Sequence, residues 1–187
     1  MNHAEVPGMN REERLRRWVD SYSDAILRTC FLYLTDAAAA EDALQDTWIK
    51  AWRAMEAYER QDVQHEKAWL MRIAVNTCRD YRRTAWFRHI DRHHTPDDLP
   101  SHLMRSELPD HSLSLLVTEL PVRYREVILL YYYQGLTQRE TAEALGLSPS
   151  AVIRRLRSAE KLLKQQWIGG EVPDESSDEA LHSQNAE

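Results

Sequence analysis

Cysteine is scarce in this chain. Its 187 residues hold two, Cys30 and Cys78, with no CxxC pair and no Cys/His ligand spacing around either. That leaves no disulfide framework and no metal-ligand cluster, and two buried thiols in a reducing compartment are expected. Glycine is sparse too, five in all, and none of it forms a phosphate-cradling loop. No nucleophile stands beside a base in a motif, so no catalytic residue, no cofactor and no enzymatic activity is expected. No apolar run is long enough to span a bilayer, and Met1 to Arg17 lacks the apolar segment of a signal peptide. The expectation is a soluble, cytoplasmic protein without membrane insertion.

What the chain does hold is helix-period apolar sequence. Hydrophobic residues make up 43% of it, in long runs with three- and four-residue steps and without strand alternation. An all-α fold follows. The net charge of −6 first argues against nucleic acid, but its distribution reverses that. Six acids lie between Ile168 and Glu187 with no Lys or Arg, so the body is left with 24 bases against 24 acids. Within the body the bases cluster. Arg72 to Arg92 carries six Arg against two Asp, and Arg154 to Lys164 carries five bases against Glu160. Two local basic patches matter more for DNA than the global sum.

The second patch belongs to the most informative stretch, Leu136 to Gln166. Thr137 can cap a first helix, with Glu140 three residues later closing a capping box. Ala142 and Leu145 face inward, and Gly146 ends the helix in the left-handed conformation. Ser148 caps the next helix and Pro149 begins it. Val152, Leu156, Ala159 and Leu163 form its buried stripe, while Arg154, Arg155, Arg157, Lys161 and Lys164 lie largely off it. This is the pattern of a helix-turn-helix, whose second helix enters the major groove of DNA. A plain αα-hairpin with a solvated basic face shares the same local pattern.

Upstream, the spacing predicts a helix over about Glu12 to Leu34 and another over about Ala37 to Ala57, the latter capped by Thr35 or Asp36. The second helix turns Leu44, Trp48, Ala51, Trp52 and Met55 to one side and Glu41, Asp42, Gln45, Lys50, Arg53 and Glu56 to the other. Tyr58 to His65 reads as a polar loop. A third helix, about Glu66 to Arg83, packs Trp69, Leu70, Ile73, Ala74, Thr77 and Tyr81 inward. Arg72, Asn76, Arg79, Asp80 and Arg83 remain for another surface, a mix of phosphate and base-edge partners. Residues 88–111 hold five His and three Pro with little periodicity, which reads as a flexible linker. His93-His94 lacks a second ligand pair at helix spacing. The linker divides residues 1–87 from residues 112–167. The second part opens with a helix from about Ser112 to Glu119 and continues from about Arg123 to Gln134, where Gly135 stops it. The acidic tail, 168–187, is expected to be disordered.

Three motifs in order narrow this further. They are Glu41-Asp42-Ala43-Leu44-Gln45-Asp46-Thr47-Trp48, then Trp69-Leu70-Met71-Arg72-Ile73-Ala74-Val75-Asn76 with Asp80 and Arg83, then Leu120-Pro121 with Arg125-Glu126-Val127 before the helix-turn-helix. From about Trp18 to Gln166 the chain closely resembles the extracytoplasmic-function (ECF) sigma factors of bacterial RNA polymerase. The resemblance implies two small helical domains, the sigma regions 2 and 4. It implies that Asp42, Gln45 and Asp46 dock on the β′ clamp helices of core polymerase, with the β flap as a further contact. Arg72, Asn76, Arg79, Asp80 and Arg83, with the loop Tyr58 to Lys67, would read the −10 element and hold a flipped base. Ser150, Ile153, Arg154, Arg155 and Arg157 would read the −35 element as duplex. The recognition helix departs from the usual pattern at Ala151, Ile153, Ser158 and Glu160, and Ile153 suits either a thymine methyl or a protein partner. The family also implies control by an anti-sigma factor.

Two other readings stand beside this one. A free-standing regulator of a palindromic operator would need a dimerisation helix, whereas the first domain is polar on its free faces. A metal- or redox-responsive switch would have to use the His-rich segment or the two cysteines.

Overall fold

The computed structural model describes residues 10–60, 65–83 and 111–170. The N-terminal stretch before Asn10, positions 61–64 of the expected loop, the His93-His94 pair with most of the expected linker, and the acidic tail beyond Gly170 lie outside the described residues. All described elements are helical: α1 Arg11–Leu34, α2 Ala37–Arg60, α3 Glu66–Arg83, α4 His111–Glu119, α5 Val122–Ile128, a π-helical turn Leu129–Tyr133, α6 Gln138–Leu145 and α7 Pro149–Gly170.

Local chemistry sets the helix ends. Asn10 and Glu13 form a capping box at the start of α1. The α1–α2 junction divides the two residues that each suited the cap. Thr35 takes the left-handed conformation (φ 57°) that closes α1, and Asp36 Oδ1 accepts the Ala39 N–H at 2.8 Å to open α2.

Helices α1, α2 and α3 pack as a three-helix unit. Its centre is an aromatic cluster in which Trp18 meets Tyr58 edge-on at 5.3 Å and Trp69 at 5.4 Å. Tyr58 is therefore a core residue on α2 and not part of a polar loop; α2 runs on past Met55 as far as Arg60, about one and a half turns, and carries it there. The buried side of α2 is Ala40, Ala43, Thr47, Ala51, Met55 and Tyr58. Trp48 and Trp52 flank it, half-buried, because their rings are too wide for the alanine-lined seam. Both thiols, Cys30 and Cys78, are free and buried.

Helices α4 to α7 form the second unit, with α7 packed on α5 and α6. It does not stand apart. Helix α6 packs on α3, and α4, α5 and the π turn touch α1. One apolar core runs through both units, from Trp18 to Ala159. This is why α3 buries Met71, Val75 and Cys78 in addition to its expected inward side. The π turn, closed by Gln134 N–H to Leu129 O at 3.0 Å, interrupts what the sequence presents as one continuous helix. Gly135 (φ 65°) ends it.

Candidate functional site

The helix-turn-helix follows its local chemistry closely. Thr137 and Glu140 form the reciprocal capping box. Gly146 closes α6 with φ 68°, and Ser148 Oγ accepts the Ala151 N–H at 3.2 Å to start α7. Burial pushes the Glu140 carboxyl upward, but the Thr137 hydroxyl and N–H, with His65 and Lys67 nearby, outweigh it and the net direction is down. A carboxylate held below its unfolded value adds stability above the ordinary range near 4.5 and loses it as pH falls through the folded value. Glu140→Ala is expected to cost about 1 kcal/mol at pH 7, as lost caps do. Its deficit against the parent should shrink in urea melts as pH drops below 4.5. A pH-independent deficit would show that the loss is one of packing.

Val152, Leu156 and Ala159 bury one side of α7. The other side carries a shallow depression lined by Ser150, Ile153, Arg154, Arg157, Ser158 and Lys161. Four of the five expected −35 residues thus come together. Arg155 does not join them. At about 100° per residue it lies roughly 130° round the helix from the centre of that face, against the edge of the buried stripe. Lys161, one turn on, is a member the sequence reading left out of the site, although its spacing from Arg154 and Arg157 marks it.

On α3 the expected residues form one stripe. Arg72, Asn76, Asp80 and Arg83 are exposed. Asn76 Oδ1 accepts from Arg79 Nη1 at 3.1 Å, and Asp80 pairs with Lys50 at 3.2 Å. Arg79 is not free in this conformation. Its Nε and Nη2 donate to both oxygens of Glu126 at 2.8 and 2.9 Å. The Glu126 hydrogen bond and charge raise the Arg79 pKa over the opposing effect of burial.

On α2, Asp42 and Gln45 are exposed, and Asp46 accepts the Tyr81 hydroxyl at 3.1 Å. Burial and then Asp46 push the Tyr81 pKa up to about 12. Ile49 shares this face, since steps of three, four and seven residues keep one azimuth, and it is 48% exposed. An exposed apolar side chain beside polar ones matches the apolar centre and polar rim of a docking spot. Its spacing from Asp42 and Asp46 could have revealed it in the sequence.

Comparison with known proteins is consistent over both units. Residues 18–88 match the family described as Sigma-70 region 2, and residues 110–163 match Sigma-70, region 4. The RNA polymerase sigma factor NccH of Alcaligenes xylosoxydans xylosoxydans is 30% identical over 128 residues, covering 64% of this chain and 68% of that protein. This chain belongs to the ECF sigma factors. The ECF RNA polymerase sigma factor SigL of Mycobacterium tuberculosis is 29% identical over 154 residues, 80% of this chain and 86% of that one. SigM of Bacillus subtilis is 28% identical over 161 residues, 80% and 94% of the two chains. Among solved structures, CnrH in complex with the cytosolic domain of CnrY superposes with a TM-score of 0.64 at 26% identity, over 87% of this chain and 92% of that chain. RpoE from Bartonella quintana, solved with the anti-sigma factor NepR, shares the fold at a TM-score of 0.66 and 19% identity, over 83% and 97%. As a sigma factor the chain is a transcription-initiation subunit and not an enzyme. No helix among the described residues is long and apolar enough to cross a membrane.

Proposed function

We propose that this sigma factor binds core RNA polymerase through the α2 face of Asp42, Gln45, Asp46 and Ile49, and directs it to a two-part promoter in the cytoplasm. Residues 1–87 serve as the region 2 domain and residues 112–167 as the region 4 domain, connected by residues 88–111. Arg72, Asn76, Arg79, Asp80 and Arg83 face the −10 element. Ser150, Ile153, Arg154, Arg157 and Lys161 face the −35 duplex. The β′ clamp helices and the β flap are the polymerase contacts. The observation that carries this reading is the pairing of two unlike surfaces on one chain: an acidic face that ends in an exposed isoleucine, and a basic face opposite the buried stripe of a capped recognition helix. An anti-sigma factor belongs to the reading as well, since RpoE was solved with one.

The test is transcription with purified core polymerase on a library of genomic fragments. New RNA starts that share a two-part upstream motif support the assignment. Absence of starts, with the protein alone shifting duplex DNA as a dimer, favours the free-standing regulator instead. With the promoter in hand, Arg157→Ala is expected to lower output roughly tenfold, within the 1–3 kcal/mol of a lost base contact. Arg155→Ala should change it far less. Equal losses would place Arg155 back on the reading face.

A further inference from the structure

The recognition helix carries one residue that neither its core stripe nor its basic face explains. Ile153 lines the shallow depression together with Ser150, Arg154, Arg157, Ser158 and Lys161, and it is the one apolar side chain there. Ser150 and Arg157 stand one turn before it and one turn after it. Among the described residues Ile153 belongs neither to the apolar core nor to the half-buried side chains packed on that core, in contrast with Leu162 and Leu163 of the same helix. A large aliphatic group is thus held half-open to water in a polar ring, and folding has no use for it.

Its place limits what it can meet. Ile153 is the fifth residue of α7, in the N-terminal half that a helix-turn-helix lays against base edges. Long Arg and Lys chains reach out to phosphates. A short branched chain touches only what lies against the helix itself, which in the major groove is the edge of a base pair. The one acid of α7, Glu160, is two turns further along on the same side. Its carboxylate accepts the Tyr132 hydroxyl at 2.7 Å, although Arg157 and Lys164 stand at the three- and four-residue steps that favour pairing on a helix. The guanidinium beside Ile153 is therefore left for DNA.

In the major groove thymine alone offers an apolar group, its 5-methyl; the other bases present donors and acceptors. Isoleucine can bond to none of these. A cytosine against it would hold its amino group out of water with no acceptor, and an unmade hydrogen bond is costly. The same side chain thus attracts thymine and rejects cytosine.

We propose that Ile153 is a specificity-determining residue that reads the 5-methyl group of one thymine in the −35 duplex. This contact rests on the reading of α7 as the −35 helix and gives that helix a base identity.

The test uses holoenzyme assembled from core polymerase and the full chain, with duplex fragments of the promoter found by transcription on the genomic library. Each −35 thymine, on either strand, is replaced in turn by uracil, which keeps the base pair and removes only the methyl. Fluorescence anisotropy should show one responsive position, where affinity falls about fourfold with uracil and about tenfold with cytosine. At that position Ile153→Ala should bind the thymine and uracil fragments equally, and its response elsewhere should match the parent. Ile153→Lys should exchange the preference for thymine for one for guanine at the same base pair, because an ammonium donates to O6 and N7. Neither change touches the apolar core, so both variants should fold. The contact is overturned if no thymine responds to uracil, or if Ile153→Ala keeps the parent's thymine-to-uracil ratio. It is equally overturned if Ile153→Ala weakens binding to core polymerase and leaves base discrimination intact, which makes Ile153 a protein contact. Arg157→Ala separates the methyl contact from the reading beneath it. If Arg157→Ala lowers promoter output while no thymine responds, the methyl contact alone fails. If Arg157→Ala and every −35 base change leave binding unchanged, α7 does not read the −35 element and the methyl contact fails with it.

Discussion

Asp42→Arg combined with Asp46→Arg is expected to abolish association with core RNA polymerase. Both residues lie on one face of α2 with Gln45 and Ile49, and Asp42 and Gln45 are open to solvent. Reversing two charges replaces attraction by repulsion at each contact, and like charges across an interface cost several kcal/mol. A loss on the order of 100-fold in affinity corresponds to about 3 kcal/mol. The fold should survive, because neither carboxylate is in the apolar core; Asp46 surrenders only its hydrogen bond from Tyr81. The matched change Asp20→Arg with Asp24→Arg, on exposed positions of α1, supplies the same total charge elsewhere. It should leave association nearly intact at physiological salt, where distant exposed charges are screened. Ile49→Ala should weaken binding without altering its salt dependence, since it removes apolar contact and no charge. Co-purification with core enzyme and titration by fluorescence anisotropy measure all three. Normal association of the double reversal would remove α2 from the docking surface.

What could be read in the sequence and what could not divide by distance along the chain. The helix-turn-helix was legible almost residue by residue, because a capping box, a left-handed glycine and a Ser-Pro start each depend on groups within about four positions. The apolar stripes of α1 and α7 were legible for the same reason. The docking of the two units was not. Its polar ties join Tyr33 to Glu126 across 93 positions and Gln134 to Ala25 across 109, and nothing in periodicity signals such partners. Glu126 and Gln134 look like solvated residues on a short helix, yet both are buried. The two helical units were legible as such, but not the apolar core that runs through both. Arg79 shows the consequence. Its type and place on α3 mark it as a group suited to phosphate, but only the three-dimensional arrangement shows that a carboxylate already meets it. Arg155 is the opposite case: the sequence groups it with Ser150, Ile153, Arg154 and Arg157, whereas helical geometry sets it about 130° from the centre of the face the other four share.

Trp18→Ala is expected to be the most destabilising single change in the first unit. The ring is fully buried and ties three helices together, with Tyr58 of α2 at 5.3 Å and Trp69 of α3 at 5.4 Å, themselves 4.7 Å apart. Deleting a buried tryptophan removes its apolar area and leaves a cavity that neighbouring rings cannot fill, at a cost of about 3–5 kcal/mol. Edge-on and tilted ring contacts add to the loss. Against a typical total of about 5–15 kcal/mol this is a large share. For a chain of this length it corresponds to a fall of roughly 6–20 °C in Tm. Trp167→Ala, at an exposed site near the end of α7, should stay within about 0.5 kcal/mol of the parent. Calorimetry on the two variants compares them directly. The consequence for function runs through geometry: α2 carries the acidic docking face and α3 the arginine stripe, and the Trp18 cluster fixes one relative to the other. Polymerase binding by Trp18→Ala should therefore fail at temperatures where the parent and Trp167→Ala still bind. A change in Tm of only a degree or two would mean that the alanine-lined seam of α1 and α2 holds the unit together without the aromatic cluster.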